Sequence, residues 1–253
     1  AAGYQAWWEH QPLRVPRARS WADLTITRTA NWGALARFWV MDTRQYRSDQ
    51  ACGDGTRVVP CGEWNDPSRT LMGDAQEAWL VNGLGESRAT WQVLAQQVMM
   101  APFDTRPGAD TQVSMDQWSG YPVARDRLLG AIGERAKGRT IVLTGDIHAS
   151  FVNELQSSFD NPGRPVVAAE FVGTSMSSGG DGTEVYQGWN TTRADNPYMK
   201  WHNARRGYVR CRVTPDEWRA DYRIVPFVTR PGALVETASS WRVPHGRPVI
   251  ERV

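Results

Sequence analysis

Apolar and polar positions first fall into a clear order at residues 22–42, ADLTITRTANWGALARFWVMD. Leu24 and Ile26 alternate with Thr25, Thr27 and Thr29, a turn is signalled at Asn31-Trp32-Gly33, and a second apolar run reaches Met41. A period of two on both sides of a Gly-containing turn predicts a β-hairpin. The twenty residues before it, rich in Trp, Pro and Arg, show no period. Asp66-Pro67-Ser68 opens a stretch in which Leu71, Ala75, Ala78, Trp79 and Leu80 recur at roughly helical spacing. This predicts a helix, with Gly83 and Gly85 as its stop.

TWQVLAQQVMM (90–100) is short, apolar and bounded by turn residues, the pattern of a buried strand. A polar stretch, 101–122, follows as a long loop, a kind that is usually functional when it lies inside a compact domain. Pro122 starts a helix with Leu128, Leu129, Ile132 and Ala136 as its apolar stripe, and Gly138 ends it. TIVLTG (140–145) is a second buried strand. Strand, loop, helix and strand in this order form a βαβ unit, so the two strands are expected to be parallel. VVAAEFVG (166–173) is a third apolar run. From Gly207 two strand-like runs flank Thr214-Pro215-Asp216 as an antiparallel hairpin, and ALVETASSWRV (233–243) adds a last strand. The pattern is that of an α/β chain with a mixed sheet.

With 253 residues, 41 % hydrophobic and 22 % charged, the chain can bury a core, and it is read as one domain, 1–253. No apolar run approaches the ~20 residues of a membrane span. The 29 Lys+Arg nearly balance 27 Asp+Glu, so no nucleic-acid-binding stripe is expected. Lys137 and Lys200 are the only lysines. The 13 tryptophans are expected to divide between core and substrate surface. Cys52 and Cys61 bracket a Gly/Asp/Pro-rich stretch. A bridge there would stiffen the loop and suit an oxidising compartment, while two free thiols in a cytosolic loop fit the spacing equally well. Cys211 reads as a small buried apolar residue. AAGYQAWWEH shows no signal-peptide pattern and no initiator Met, which leads to the expectation of a processed or truncated product.

TGDIHAS (144–150) carries the sharpest local chemistry. Asp146 and His148 lie just past a buried strand, where open α/β sheets place ligands, and at i and i+2 of an extended segment they would face one metal pair together. A capping Asp and an ordinary loop His explain the same spacing. Gln96 and Gln97 end the preceding strand. They belong either to a network within the sheet or, for one of them, to the same site edge. Arg44 and Arg47 match phosphate oxygens in geometry, and ion pairing at the hairpin end is the alternative. Glu170, inside an apolar run, needs partners and is expected to anchor an arginine or support a metal ligand. His10, His202 and His245 have no partner motif. Neither a GxSxG elbow nor a GxxxxGK[ST] loop occurs.

Several segments taken in order, LARFWVMDTRQYRSDQACGDG, WQVLAQQVMM, MDQWSGYPVARDRLL, IVLTGDIHASF, AAEFVGTSMSSGG and RRGYVRCRVTPDEWRADYRIV, resemble the C-terminal part of PhoD-type alkaline phosphatases, from about Tyr4 to Val243. That family includes phospholipase D-like phosphodiesterases and belongs to the calcineurin-like metallophosphoesterases. The resemblance implies part of a layered α/β/β/α sandwich with mixed sheets and a C-terminal antiparallel hairpin. It also implies hydrolysis of phosphate mono- or diesters, possible phospholipid substrates, and Fe(3+) with Ca(2+) at a two-metal site. Asp146 and His148 would be metal ligands by that match; from its place on the same edge Gln97 is expected as a further metal-site residue, and Arg44 is expected to assist with phosphate. Secretion by the twin-arginine route is implied as well. The family's earlier motifs, a Cys-containing first strand, a GDxxY segment and an Asp-Asp-His-Glu stretch with its Asn ligand, have no match here. The expected partner is therefore an N-terminal fragment or chain of the same enzyme. The alternative is an inactive fragment acting as a binding or structural domain.

Overall fold

A computed structural model describes residues 1–12, 14–160 and 163–253. The chain runs α1 (Ala2–His10), β1 (Arg28–Trp32), β2 (Ala36–Val40), α2 (Asp74–Glu86), β3 (Trp91–Ala95), α3 (Pro122–Arg135), β4 (Thr140–Thr144), β5 (Ser150–Gln156), β6 (Val166–Val172), β7 (Gly182–Thr183), α4 (Trp189–Thr192), β8 (Met199–Val213), β9 (Glu217–Val225), β10 (Glu236–Pro244) and β11 (Glu251–Arg252).

The strands follow the order β1-β2-β3-β4-β6-β5-β8-β9-β10-β11, with β7 against β8. β2, β3, β4 and β6 are mutually parallel, and β1 and β5 join antiparallel. β8 belongs to two sheets: residues 199–203 pair with β5, while 206–213 pair with β9. At Gly207, where β8 meets β9, a Cβ would lie 1.9 Å from the Arg223 carbonyl oxygen, so only glycine permits the approach.

Period two sorts the core into layers. On β3 and β4, Leu94 and Val142 pack with Leu80, Leu84, Leu128, Leu129 and Ile132 under α2 and α3. Val93 and Ile141, one residue earlier, pack with Phe171, Trp218, Tyr222 and Trp241 between the two sheets. Strands buried on both faces read as continuous apolar runs, which is why β3, β4 and β6 were legible. The result is three layers, α/β/β, with the C-terminal antiparallel strands as the second sheet.

The hairpin, the βαβ unit and the parallel strands match the expectations from sequence. Several details differ. The hairpin turn sits at residues 33–35, and the first strand begins at Arg28 rather than Leu24. α2 starts at Asp74, eight residues after Asp66, and runs through both glycines proposed as its stop. Gly83 is there for space: a Cβ would lie 2.2 Å from the Trp39 ring. SFVNELQ forms β5, which was not anticipated because its polar positions interrupt any period. The unpatterned start holds α1, none of whose residues is buried. Six of the 13 tryptophans are core, with Trp39, Trp91, Trp118 and Trp218 fully buried. Cys211 is half-buried and free, and Cys52 is disulfide-bonded to Cys61. Among the described residues no helix is long and apolar enough to cross a membrane.

Candidate active site

The parallel strands β2, β3, β4 and β6 end on one edge, and the loops leaving them form the candidate site. After β4 the chain turns through Gly145-Asp146-Ile147-His148. Asp146 (φ 69°) and His148 (φ 58°) both occupy the left-handed region. That conformation costs a non-glycine residue on the order of 1 kcal/mol and persists only where surroundings impose it. The constraints are visible. Gly145 N–H donates to the Gln97 carbonyl (3.3 Å), Ile147 N–H donates to the Gly145 carbonyl (2.9 Å), and buried Arg206 donates to the His148 carbonyl (2.7 Å). Ile147 packs into an apolar cluster with Phe103, Phe151 and Val172. Asp146 and His148 on either side of it are exposed. The segment is therefore not extended, as the i, i+2 argument assumed. Both side chains are left exposed while the residue between them is anchored inward.

The loop after β2 brings in Arg44. Buried Asp42 closes that turn, its Oδ1 accepting from the N–H groups of Arg44 (2.9 Å) and Gln45 (3.0 Å). The Arg44 guanidinium makes two bonds to Asp116, at 2.8 and 3.1 Å, and its Nη2 lies 3.6 Å from Asp146. Arg47 (2.6 Å) and Gln50 (3.0 Å) also donate to Asp116. Burial pushes the Asp116 carboxyl up, but the hydrogen bonds from Arg44 and Arg47 outweigh it and hold the group below its ordinary range. Ion pairing of both arginines, the plainer of the two readings, is thus what the structure holds, and Arg44 also reaches the Asp146 loop. Asp116 lies in the long 101–121 loop. That loop is tied to the disulfide loop by the Val58–Val113 bridge and by the Met115 N–H to Gly55 carbonyl bond (2.9 Å).

Gln97 sits on the same edge, with its side chain turned to β2. Its Oε1 accepts from the N–H (2.9 Å) and hydroxyl (2.7 Å) of Thr43, and its Nε2 donates to the Met41 carbonyl (2.8 Å). Together with the main-chain bond to Gly145, this makes Gln97 a tie between the β2 and β4 loops. Gln96 belongs to a buried network. It donates to Thr144 Oγ1 (2.7 Å), which donates to Glu170 (2.8 Å), while Trp118 Nε1 donates to Gln96 Oε1 (3.1 Å). Glu170 anchors no arginine. It accepts from Met100 N–H, Ala101 N–H and Asn153 as well as Thr144, all neutral donors. Burial pushes its carboxyl up, against the pull of those four bonds. The network pins the ends of β3, β4 and β6 beneath the site.

Asp42, Asp116 and Arg206 were missed from sequence. Asp42 carried a signal, an Asp directly after an apolar run and before a turn. Asp116 and Arg206 carried none, since their partners lie 72 and 58 residues away. Among the described residues no three His, Cys, Asp or Glu side chains come close enough to hold a metal ion.

These features define a layered α/β/β protein whose polar chemistry gathers at the carboxyl edge of a mainly parallel sheet. The PhoD-like phosphatase family matches residues 1–222, and the chain belongs to that family. It is 45 % identical over 241 residues to alkaline phosphatase D of Bacillus subtilis (strain 168), which covers 95 % of this chain and 41 % of that protein. A solved structure described as the structure of PhoD superposes with a TM-score of 0.94 at 43 % identity, covering 100 % of this chain and 48 % of the other. The chain therefore spans less than half the length of these relatives.

Proposed function

We propose that this chain supplies part of the active site of a phosphoesterase that hydrolyses phosphate mono- or diesters, the rest being supplied by polypeptide outside it. One observation carries the reading: in a chain of this family, exposed Asp146 and His148 are held on constrained left-handed backbone at the sheet edge, with the Arg44 guanidinium 3.6 Å from Asp146.

The two side chains fit a share of a two-metal site. Imidazole suits iron and a carboxylate oxygen suits calcium or iron. Two metals call for roughly ten donor bonds, so most would come from an N-terminal fragment or chain of the same enzyme. A metal pair, when bound, would neutralise phosphate charge and polarise the phosphoryl group. Arg44, oriented by Asp116, would present its guanidinium to a phosphate oxygen, a geometry that favours bidentate or charge-assisted bonds. Gln97 would act by keeping the Arg44 and Asp146 loops in register. Asp146 and His148 are exposed at the sheet edge, and diesters and phospholipids join monoesters as candidate substrates. The Cys52–Cys61 bridge supports an exported protein, and the family's twin-arginine route is the route we propose.

The test uses the enzyme completed with its remaining portion. Hydrolysis of p-nitrophenyl phosphate, bis-p-nitrophenyl phosphate and phosphatidylcholine would be measured, together with bound metal. His148→Ala is expected to lower turnover about 100-fold or more and to reduce metal content. Its melting temperature should stay unchanged, because the side chain is exposed. Full turnover in that variant would refute the reading.

A further inference from the structure

β8 changes sheets at a buried cation. Residues 199–203 pair with β5 and 206–213 with β9, and Arg206, 6 % exposed, stands at the change. The Ser/Gly-rich segment 175–182 forms an arch whose two feet flank this residue. Gly207 N–H donates to the Ser175 carbonyl (3.2 Å) at one foot, and Gly182 pairs with Arg205 at the other. Gly179, Gly180 and Gly182 all have positive φ, which lets the chain turn back on itself over so short a span. Asp181 fastens the arch to the loop after β9, accepting from the N–H groups of Val228 (2.7 Å) and Thr229 (3.0 Å).

The Arg206 side chain reaches both the arch and the His148 loop. Its Nε donates to the Gly180 carbonyl (2.8 Å) and its Nη2 to the Gly179 carbonyl (3.3 Å). Its Nη1 donates to the His148 carbonyl (2.7 Å) and, more weakly, to the Thr174 hydroxyl (3.4 Å). All four acceptors are neutral oxygens, and among the described residues no carboxylate pairs with this guanidinium. A buried charge is costly unless it is met. Here the donors are met and the charge is not, so geometry is what the residue supplies. Only a guanidinium carries donors on three nitrogens in one plane, whereas an ammonium donates from a single point. The bond to the His148 carbonyl fixes the peptide plane between His148 and buried Ala149, and with it the left-handed backbone of His148.

We propose that Arg206 is a positioning residue for the site: its guanidinium fork locks the 175–182 arch and the Asp146–His148 loop into one unit, so that the arch sets the aim of His148. The inference rests on the phosphoesterase reading for its effect on turnover, while the clamp stands on geometry alone. The clamp also accounts for a glycine in the arch. A Cβ at Gly179, whose φ is 81°, would lie 3.2 Å from Arg206 Nη2 and press on the fork. A residue in the arch thus bears on His148 without touching it.

The test uses the completed enzyme and reads hydrolysis of bis-p-nitrophenyl phosphate beside amide hydrogen exchange. Arg206→Lys keeps the charge and removes the fork. It is expected to lower kcat at least ~10-fold with KM within about two-fold of the parent, and to speed exchange at the Ile147, Ala149 and Gly180 amides at least ~10-fold while β3 and β4 keep their rates. Gly179→Ala disturbs the same fork from the arch. It is expected to lower kcat a few-fold and to speed exchange at Ile147 and Ala149, and it serves alone if Arg206→Lys does not fold. The double variant should be no slower than Arg206→Lys, because both changes act through one guanidinium. Losses that multiply in the double variant would overturn the proposal. So would a raised KM at unchanged kcat in Arg206→Lys, or parental exchange at Ile147 and Ala149 in whichever variant folds. A parent enzyme that hydrolyses no phosphate ester would remove the phosphoesterase reading and leave the exchange rates to decide the clamp.

Discussion

Two aspartates in this molecule are each gripped by several arginines, and they do different work. Asp221 on β9 is buried and accepts from Arg210 (2.8 Å), Arg219 (3.0 Å) and Ser240 (2.6 Å), groups that strand register places around it. Asp116 lies in a loop and accepts from Arg44, Arg47 and Gln50, which arrive from a second loop. In both, burial raises the carboxyl and the hydrogen bonds overcome it, so each is depressed. The difference is where the arginines face. Those of Asp221 clasp strands to one another. Arg44 at Asp116 also turns to Asp146 at 3.6 Å, on the open edge of the sheet. One motif thus serves cohesion in the second sheet and orientation at the site.

The sharpest way to break this comparison is a matched pair of variants. Asp221→Asn weakens the buried acceptor that gathers Arg210, Arg219 and Ser240; because those arginines are a third to a half exposed, it is expected to cost about 2 kcal/mol, lowering the melting temperature by roughly 6 °C while turnover per folded molecule is retained. Asp116→Asn should do the reverse, with turnover of the completed enzyme falling roughly 10-fold or more as Arg44 loses its orientation, and a melting temperature within a few degrees of the parent. If both variants behaved alike, the division of labour would be wrong.

Acid adds a contrast between the two sheets. His202, in the part of β8 that pairs with β5, stacks on Trp189 with ring centroids 4.3 Å apart, and burial pushes its pKa down to about 4. A lowered folded value means the neutral form is favoured, so this stability is present above about pH 6.5 and is lost as pH falls toward 4. Asp221, depressed below the usual carboxylate range, adds a loss that begins only below about pH 4. Denaturation midpoints at pH 7, 5 and 3 should therefore fall in two stages, and His202→Gln should remove the first. The smallest effect concerns the loop behind Asp116. Reducing Cys52–Cys61 releases a short closed loop worth about 2–3 kcal/mol by chain entropy. Because that loop is stitched to the 101–121 loop, KM is expected to rise a few-fold, with kcat changing less. An unchanged KM would detach the disulfide from the site.

What the chain determined locally was read without a structure: continuous apolar runs for strands buried on both faces, Pro122 at a helix start, and the existence of the first hairpin, although its turn lies at residues 33–35 rather than 31–33. Asp146 and His148 were visible for the same reason, since a position just past such a run places a residue at the sheet edge. Other features depended on groups distant in sequence. Glycines inside α2 looked like a stop until Trp39 explained Gly83. Asp116 finds Arg44 across 72 residues, Arg206 finds His148 across 58, and neither pairing leaves a periodic trace. The passage of β8 from one sheet to the other also belongs to tertiary structure. A strand's pattern reports which face is buried, whereas the partner on its edge is set by the folding of the whole sheet.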